Sequence, residues 1–196
     1  MLTELFIHAI ADVAMSEDQT MLILKEKGGE RILPVLMEKR RAVLLKIRKS
    51  TPFTWPIPVS AADIGHHIMS KFNVHLKSVV INGITNGTYF CQIVAEREGE
   101  EQTLDVCNAT DGIEMATVTG CPILIEEELF QAQYLHKIGE NSFAININTF
   151  SRQMLESALT QAVETENYEA ASRLRDELAK RHSIGNAESA TSDNVK

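Results

Sequence analysis

LKSVVINGITNGTYFCQIVAERE, residues 76–98, contains two runs rich in β-branched and aromatic side chains, separated by Thr85-Asn86-Gly87. Asn-Gly between two such runs favours a tight hairpin turn, because both residues readily adopt positive φ angles. Gly99 separates the second run from EQTLDVC, residues 101–107, in the same way. The stretch therefore predicts three strands joined by two hairpin connections.

The segments before this stretch predict more strands. Residues 5–14 and 20–27 are short apolar or alternating segments, and Gly28-Gly29 follows them as a turn. ERILPVLM, residues 30–37, returns as a further strand. We expect these segments to form an antiparallel meander.

Two helices are predicted between the groups of strands. EKRRAVLLKIRK, residues 38–49, has no Gly or Pro and many good helix formers. Residues 51–58 contain three prolines and predict a loop. Ser60 then offers an N-cap oxygen to a helix over residues 60–72. The apolar residues at helical spacing in this second helix are Ile64, Ile68, Met69 and Phe72.

A third helix is predicted over residues 110–120, and CPILIEEEL, residues 121–129, predicts a short buried strand. Strands and helices thus occur in mixed order over residues 1–135. This order predicts an α+β domain in which helices pack on a mixed or antiparallel sheet.

The rest of the chain predicts a connection, a helical hairpin and a tail. Apolar residues alternate with small or polar ones over residues 141–150, which predicts a strand within a linker over residues 136–150. Two amphipathic helical segments follow over residues 151–182, with a break near Glu166-Asn167. Residues 183–196 are small and polar, so we expect a disordered tail.

MLESALTQAVETENYEAASRLRDELAKR, residues 154–181, resembles the UVR motif, the helical hairpin shared by the excision repair proteins UvrB and UvrC. The resemblance implies a protein-docking element that pairs with another such hairpin. Two short helices bury little surface by themselves, which agrees with docking. The residues predicted to contact a partner are Leu155, Leu159, Tyr168, Leu174, Arg175 and Leu178. A second interpretation is that the hairpin only braces its own domain.

Residues 1–135 resemble the bifunctional nuclease family, small bacterial domains credited with acting on both DNA and RNA. ERILPVLMEKRRA stands where that family has a strand ending in Leu-Pro and then a helix, and PVSAADIGHHIM where it has a Pro, Thr, His, Asp run. LDVCNATDGIEMATVTGCPILIEEEL stands where it has an Asp-Ala-Arg-Pro-Ser-Asp-Ala run, a helix and a Pro-Ile strand. The resemblance implies the α+β fold and a nuclease activity.

The order and spacing of those motifs are kept, whereas several polar residues are exchanged. The family's Gly and Glu after Leu-Pro correspond to Glu38 and Arg41, its His-Asp pair to Ala61 and Ala62, and its Arg to Asn108. Thr110 and Asp111 remain in place, and Asp105 lies one residue from the position of the first Asp.

Asp105, Asp111 and Glu114 are the candidate catalytic residues. A nuclease that uses Mg²⁺ or Mn²⁺ needs carboxylates that converge on the metal. Asp111 and Glu114 are three residues apart at a helix start and share one face, and Asp105 ends the preceding strand. The alternative is that Asp111 stabilises the helix N-terminus while Glu114 faces water.

Lys39, Arg40 and Arg41 begin the only dense basic cluster and are the candidates for contact with nucleic acid. The alternative is a solvated helix face. The net charge of -8 opposes long-range attraction to phosphate, so binding would need this local patch. His66 and His67 are adjacent on a helix and point about 100° apart, which disfavours a shared metal site.

No apolar run reaches the length of a membrane span, and the N-terminal apolar patch has no basic residue before it. The three cysteines lack any CxxC pairing and predict reduced thiols. We therefore expect a cytoplasmic protein. A symmetric homo-oligomer is also expected, because a small sheet domain gains buried surface by pairing.

Three functions fit these features. The first is a metal-assisted nuclease for DNA or RNA whose hairpin docks a protein partner. The second is a catalytically inactive oligomeric adaptor that displays the hairpin. The third is a regulator that binds nucleic acid through the basic helix without cutting it.

Overall fold

The computed structural model describes residues 1–13, 16–50, 60–137, 143–144 and 146–192. The loop predicted at residues 51–58 and the last four residues of the predicted tail lie outside these ranges.

The predicted N-terminal meander is confirmed. Its strands are β1 (Leu2–Asp12), β2 (Gln19–Glu26) and β3 (Ile32–Glu38), which pair antiparallel in chain order. Leu24 lies opposite Leu33, and neither side chain is exposed to solvent. Alternate residues of these strands therefore line one core face of the sheet.

Both predicted hairpins are confirmed as well. They join β4 (His75–Thr85), β5 (Thr88–Arg97) and β6 (Glu100–Asn108). The first turn has φ angles of 51° at Asn86 and 80° at Gly87, and the second has 55° at Glu98 and 85° at Gly99. Two successive positive φ angles are the pattern of a type I′ turn, which matches the twist of the flanking strands.

β7 (Ile123–Glu126) joins the two groups into one sheet, antiparallel to β1 and parallel to β4. Among the described residues this sheet has seven strands in the order β3-β2-β1-β7-β4-β5-β6. The strand predicted over residues 121–129 is thus confirmed only at residues 123–126. Its acidic end begins α4 (Glu127–Gln133), where Arg31 Nη1 donates to Glu127 Oε1 at 2.6 Å.

α1 (Lys39–Ser50) and α3 (Ala109–Thr119) confirm two predicted helices and pack on the core face of the sheet. The approach of α3 is close at Gly112. A Cβ atom there would lie 2.5 Å from Cys91 Sγ and 2.8 Å from Val79 Cγ1. Glycine therefore lets α3 approach β4 and β5 more closely than a larger residue would allow.

α2 (Ala61–Lys71) confirms the remaining predicted helix, and Ser60 forms the predicted N-cap. Its apolar row, however, points away from the core. Ile64, Ile68 and Phe72 are 54%, 54% and 63% exposed, whereas Asp63 is 6% exposed. Helical spacing identified the element correctly, but it does not tell which face the rest of the chain covers.

The strand predicted over residues 141–150 is confirmed at residues 143–144 and wrong at residues 147–149, while residues 141, 142 and 145 lie outside the described residues. β9 (Phe143–Ala144) pairs with β8 (His136–Lys137), and a 3-10 turn follows at Ile147–Thr149. Asn146 Oδ1 accepts from the Asn148 N–H at 3.4 Å, which caps that turn. A side chain that binds nearby backbone in this way competes with a strand ladder.

The predicted helical hairpin is confirmed. Its helices are α5 (Arg152–Glu164) and α6 (Tyr168–Ser192), and Ser151 caps the first. Glu166 has a φ of 56° in the break between them. α6 runs through Ser192, so the first ten residues of the predicted disordered tail are helical, because extending an established helix costs little. Among the described residues, no helix has the length and hydrophobicity needed to span a bilayer.

Candidate functional site

Arg41 joins α1 to the first two turns of α3 through three side-chain contacts. Its Nε donates to Glu114 Oε1 at 2.6 Å, and its Nη1 donates to Thr110 Oγ1 at 3.1 Å. Its Nη2 donates to Asp111 Oδ1. Asn108 Oδ1 fixes the first turn by accepting from the Thr110 N–H at 2.9 Å. Asp111 and Glu114, two of the three predicted catalytic acids, therefore lie close together, as expected for residues three positions apart on one helix face. The guanidinium of Arg41 lies between them and pairs with both.

In this cluster the positive charge of Arg41 is balanced by the carboxylates of Asp111 and Glu114. The hydrogen bond to Glu114 raises the pKa of Arg41, burial opposes that shift, and the bond to Asp111 adds to it. The side chains of Arg41 and Glu114 are 22% and 15% exposed, against 59% for Asp111. Arg41 is therefore a permanent cation whose partners are the two acids.

Asp105 lies apart from this cluster. It sits where the β5–β6 register shifts, and its Oδ1 accepts from Gln92 Nε2 at 2.8 Å. Successive side chains of a strand point to opposite faces of the sheet. Cys91 faces α3, so the side chain of the next residue, Gln92, lies on the face away from α3. The three acids therefore do not converge. Within the described residues, no group of three His, Cys, Asp or Glu side chains could hold a metal ion.

All three predicted nucleic-acid contacts take part in ion pairs. Lys39 Nζ lies 3.6 Å from Asp12 Oδ1, and Arg40 Nε lies 2.6 Å from Glu38 Oε2. These two cations stay accessible, with side chains 54% and 84% exposed, and exposed pairs are weak. Arg41 differs because its guanidinium is already bound by α3. Of the predicted cluster of three, two side chains remain open to phosphate.

The ion pair between Arg48 and Asp63 was not predicted from the sequence. The side chains are 9% and 8% exposed, and the pair joins α1 to α2. Burial alone would raise the pKa of Asp63, but bonds from Arg48 and from the N–H and hydroxyl of Ser60 outweigh it and lower that pKa to about 2. Ser60 and Asp63 form a capping box, and the spacing Ser-x-x-Asp was the available signal.

The two histidines do not form a metal site. His67 Nδ1 lies 2.8 Å from the carbonyl oxygen of Asp63, and the His66 and His67 rings meet edge to face with centroids 6.1 Å apart. His67 is exposed and His66 is half-buried.

A cavity of about 180 Å³ opens beside Arg41, between the starts of α1 and α3, the β4–β5 turn and Ser151. Its polar lining includes Gln19, Glu38, Arg41, Asn86, Asn108 and Thr110. By the resemblance described above, Glu38, Arg41 and Asn108 are expected to correspond to a Gly, a Glu and an Arg of the bifunctional nuclease family. The cavity therefore lies where the family resemblance places polar motif residues. Tyr89 also borders it, and burial raises the pKa of that phenol to about 12.

The six residues predicted to contact a partner differ in exposure and form three pairs: buried, exposed and half-buried. Leu155 and Leu174 are 0% and 7% exposed and hold α5 to α6 in a small core with Ala162 and Ala171. Leu155 is therefore not available to a partner, whereas Leu174 also lines an open groove along the hairpin. Tyr168 is 69% exposed, and Arg175 is exposed too. Leu159 and Leu178 are half-buried at the border of the small core.

An open groove of about 470 Å³ runs along the hairpin. Its floor is formed by apolar side chains and its rim by Glu169 and Arg173, which pair with each other at 2.7 Å. The apolar lining residues are Ile147, Phe150, Ala158, Ala170 and Leu174. Small alanines leave the space that a larger residue would fill. Sequence reasoning missed Ile147 and Phe150, because both precede the helices.

Two protein families match the chain. The bifunctional nuclease domain matches residues 22–138, and the UvrB/UvrC motif matches residues 154–180. The first match covers more than half of the 196 residues, so the chain belongs to the bifunctional nuclease domain family. The UvrB/UvrC motif follows that domain and coincides with the α5–α6 hairpin. No curated protein matches the chain.

Proposed function

We propose that this member of the bifunctional nuclease domain family is a non-cleaving adaptor that presents its α5–α6 hairpin to a protein partner. The observation that carries the proposal is the position of Arg41. A residue of opposite charge replaces the family's Glu there, and it binds both Asp111 and Glu114. Two of the three acids that were predicted to hold a metal are thereby paired with a cation of the protein itself.

Mg²⁺ or Mn²⁺ does not fit the residues present. A hard divalent ion takes oxygen ligands that are free to converge, and Asp105 lies across the sheet from Asp111 and Glu114. Binding at the remaining two acids would have to displace the guanidinium of Arg41. We therefore derive no hydrolytic step through a metal.

The partner that we propose is a protein with a second hairpin of the UvrB/UvrC type. Tyr168 and Val163 are 69% and 53% exposed at the connected end of the hairpin, and exposed aromatic residues often anchor interfaces. The apolar groove offers a further surface for an amphipathic helix.

Isothermal titration of the full chain with a purified protein that carries a UvrB/UvrC hairpin tests this function. We expect roughly micromolar affinity, and Tyr168→Ala should weaken it about tenfold. Leu104→Ala is the matched control, since Leu104 is 60% exposed on β6 and away from the hairpin. Absent binding, or equal losses in both variants, would exclude this docking function.

A metal-assisted nuclease is the second candidate. Family membership favours it, as does Asp111, which keeps its motif position and is 59% exposed. Purified full-length protein should be incubated with single- and double-stranded DNA and with RNA, in Mg²⁺, Mn²⁺ or EDTA. The adaptor proposal expects intact nucleic acid. Metal-dependent cutting that disappears in Asp111→Ala would establish the nuclease instead.

We further propose that the adaptor works in the cytoplasm as a homo-oligomer. Cys91, Cys107 and Cys121 are free thiols, which supports a reducing compartment. The exposed apolar row of α2 supports self-association.

A further inference from the structure

The junction segment, residues 147–151, lies between the cavity beside Arg41 and the hairpin groove. Ile147 and Phe150 line the groove, while Ser151 lines the cavity. Thr149, in the middle of the segment, has no exposed surface. One short piece of chain therefore forms part of the wall of both spaces.

Arg181 of α6 holds the junction segment in place. Its Nη1 donates to the Phe150 carbonyl oxygen at 2.7 Å and its Nη2 to the Asn148 carbonyl oxygen at 3.1 Å. Its Nε donates to Glu177 Oε1 at 2.8 Å, and its side chain is 7% exposed. A buried guanidinium that lost these carbonyls would keep Glu177 as a partner but leave its Nη1 and Nη2 donors unsatisfied, which is costly. The position of the segment and that of α6 are therefore linked.

The junction segment also lies against the β4–β5 turn, which forms part of the cavity wall. Gly87, in the β4–β5 turn, has a φ of +80°, and a Cβ atom there would lie 2.4 Å from the Phe150 carbonyl oxygen. The same oxygen accepts the hydrogen bond from Arg181. A single carbonyl group thus contacts both the cavity turn and the hairpin.

We propose that the junction segment is a latch, which Arg181 of α6 holds against the Gly87 turn at the cavity wall. The latch is released when α6 is displaced by the UvrB/UvrC-type hairpin that we propose above as the partner, so its release rests on that proposed function. The latch couples the hairpin to the cavity, so a perturbation at either end is felt at the other. This coupling goes beyond docking itself and holds whether or not the cavity supports catalysis.

Hydrogen exchange of the full chain, followed by mass spectrometry, tests the latch from the hairpin side. Arg181→Met should speed exchange of the amides of residues 147–151 and 86–90 by about tenfold or more, because charge-assisted bonds are lost. Arg173→Met is the matched control, since Arg173 makes the same type of i,i+4 pair on α6, with Glu169. Faster exchange limited to the hairpin, with residues 86–90 unchanged, would overturn the proposal.

The reciprocal test starts from the cavity. Gly87→Ala pushes on the Phe150 carbonyl and should speed exchange of residues 147–151 and of α6 around Arg181. Exchange in β1 reports global stability and should stay slow. If Arg181→Met does not fold, Arg181→Lys keeps the charge but loses part of the hydrogen bonding, and a smaller increase at residues 86–90 is expected. An unchanged α6 in Gly87→Ala would contradict the coupling.

Discussion

Arg41 on α1 and Glu114 on α3 are 73 positions apart in the chain, and Nε of the first donates to Oε1 of the second at 2.6 Å. Removing the cation leaves Glu114 and Asp111 side by side without compensation. We expect Arg41→Met to lower the free energy of unfolding by about 2 kcal/mol, which is less than for a fully buried pair because the site is partly solvated. Urea unfolding measures this change.

Arg40→Met is the control for that substitution. Arg40 is 84% exposed and, among the described residues, forms an ion pair only with its near neighbour Glu38, so its loss should change stability by no more than about 0.5 kcal/mol. Adding Glu114→Gln to Arg41→Met should recover part of the loss, because one uncompensated charge disappears. Equal costs for Arg40→Met and Arg41→Met would refute the assigned role of Arg41.

Protonation of Asp63 makes the free energy of unfolding depend on pH in the acidic range. Its pKa falls from 3.8 to about 2 on folding, so it contributes stability that is fully present above pH 3.8 and is lost as the pH falls towards 2. The contribution is about 2 kcal/mol. Thermal unfolding of wild type and Asp63→Asn between pH 2 and 6 measures it, and the difference between the two should shrink at the acid end. Asp176→Asn, at an exposed position, should leave the wild-type pH profile unchanged.

Gly112 and Gly65 allow a matched pair of substitutions inside helices. Gly112→Ala places a methyl group 2.5 Å from Cys91 Sγ and should cost about 1–3 kcal/mol through overpacking. At Gly65 the nearest atom, Met115 Cε, would lie at 3.5 Å, so Gly65→Ala should be neutral or stabilise by up to about 1 kcal/mol. Guanidinium chloride unfolding compares them. A stabilising Gly112→Ala would show that α3 can move off the sheet.

The predictions that the structure confirms depend on local chemistry. Asn86-Gly87 specifies a hairpin turn because these residues accept the φ angles that the turn needs. Ser60 begins α2 because its side chain satisfies a free backbone N–H. Such signals act within a few residues, so a single sequence contains them.

The predictions that fail depend on distant partners or on competing local bonds. The ion pairs of Arg41 with Asp111 and Glu114 join two helices that are far apart in sequence. The residues next to Arg41 in the sequence contain no signal that predicts these pairs. Asp105 was expected near the other acids, but the register shift in β6 places it beside Gln92. The alternation of apolar with small or polar residues over residues 141–150 predicts a strand, whereas Asn146 caps a 3-10 turn at Ile147–Thr149. The periodicity of apolar residues in the sequence does not predict such contacts.

The exposed row of α2 leads to a prediction about self-association. Ile64, Ile68 and Phe72 are spaced by four residues and form a ridge that a second copy of the helix could receive. We expect the wild-type protein to sediment as an oligomer at micromolar concentration, and Ile68→Glu to weaken association at least about tenfold, because burying a charge against the partner ridge is unfavourable. Leu104→Glu alters a side chain of similar exposure, 60%, outside the ridge and should sediment like the wild type. A monomeric wild type, or an Ile68→Glu variant that associates as strongly, would rule out α2 as the interface.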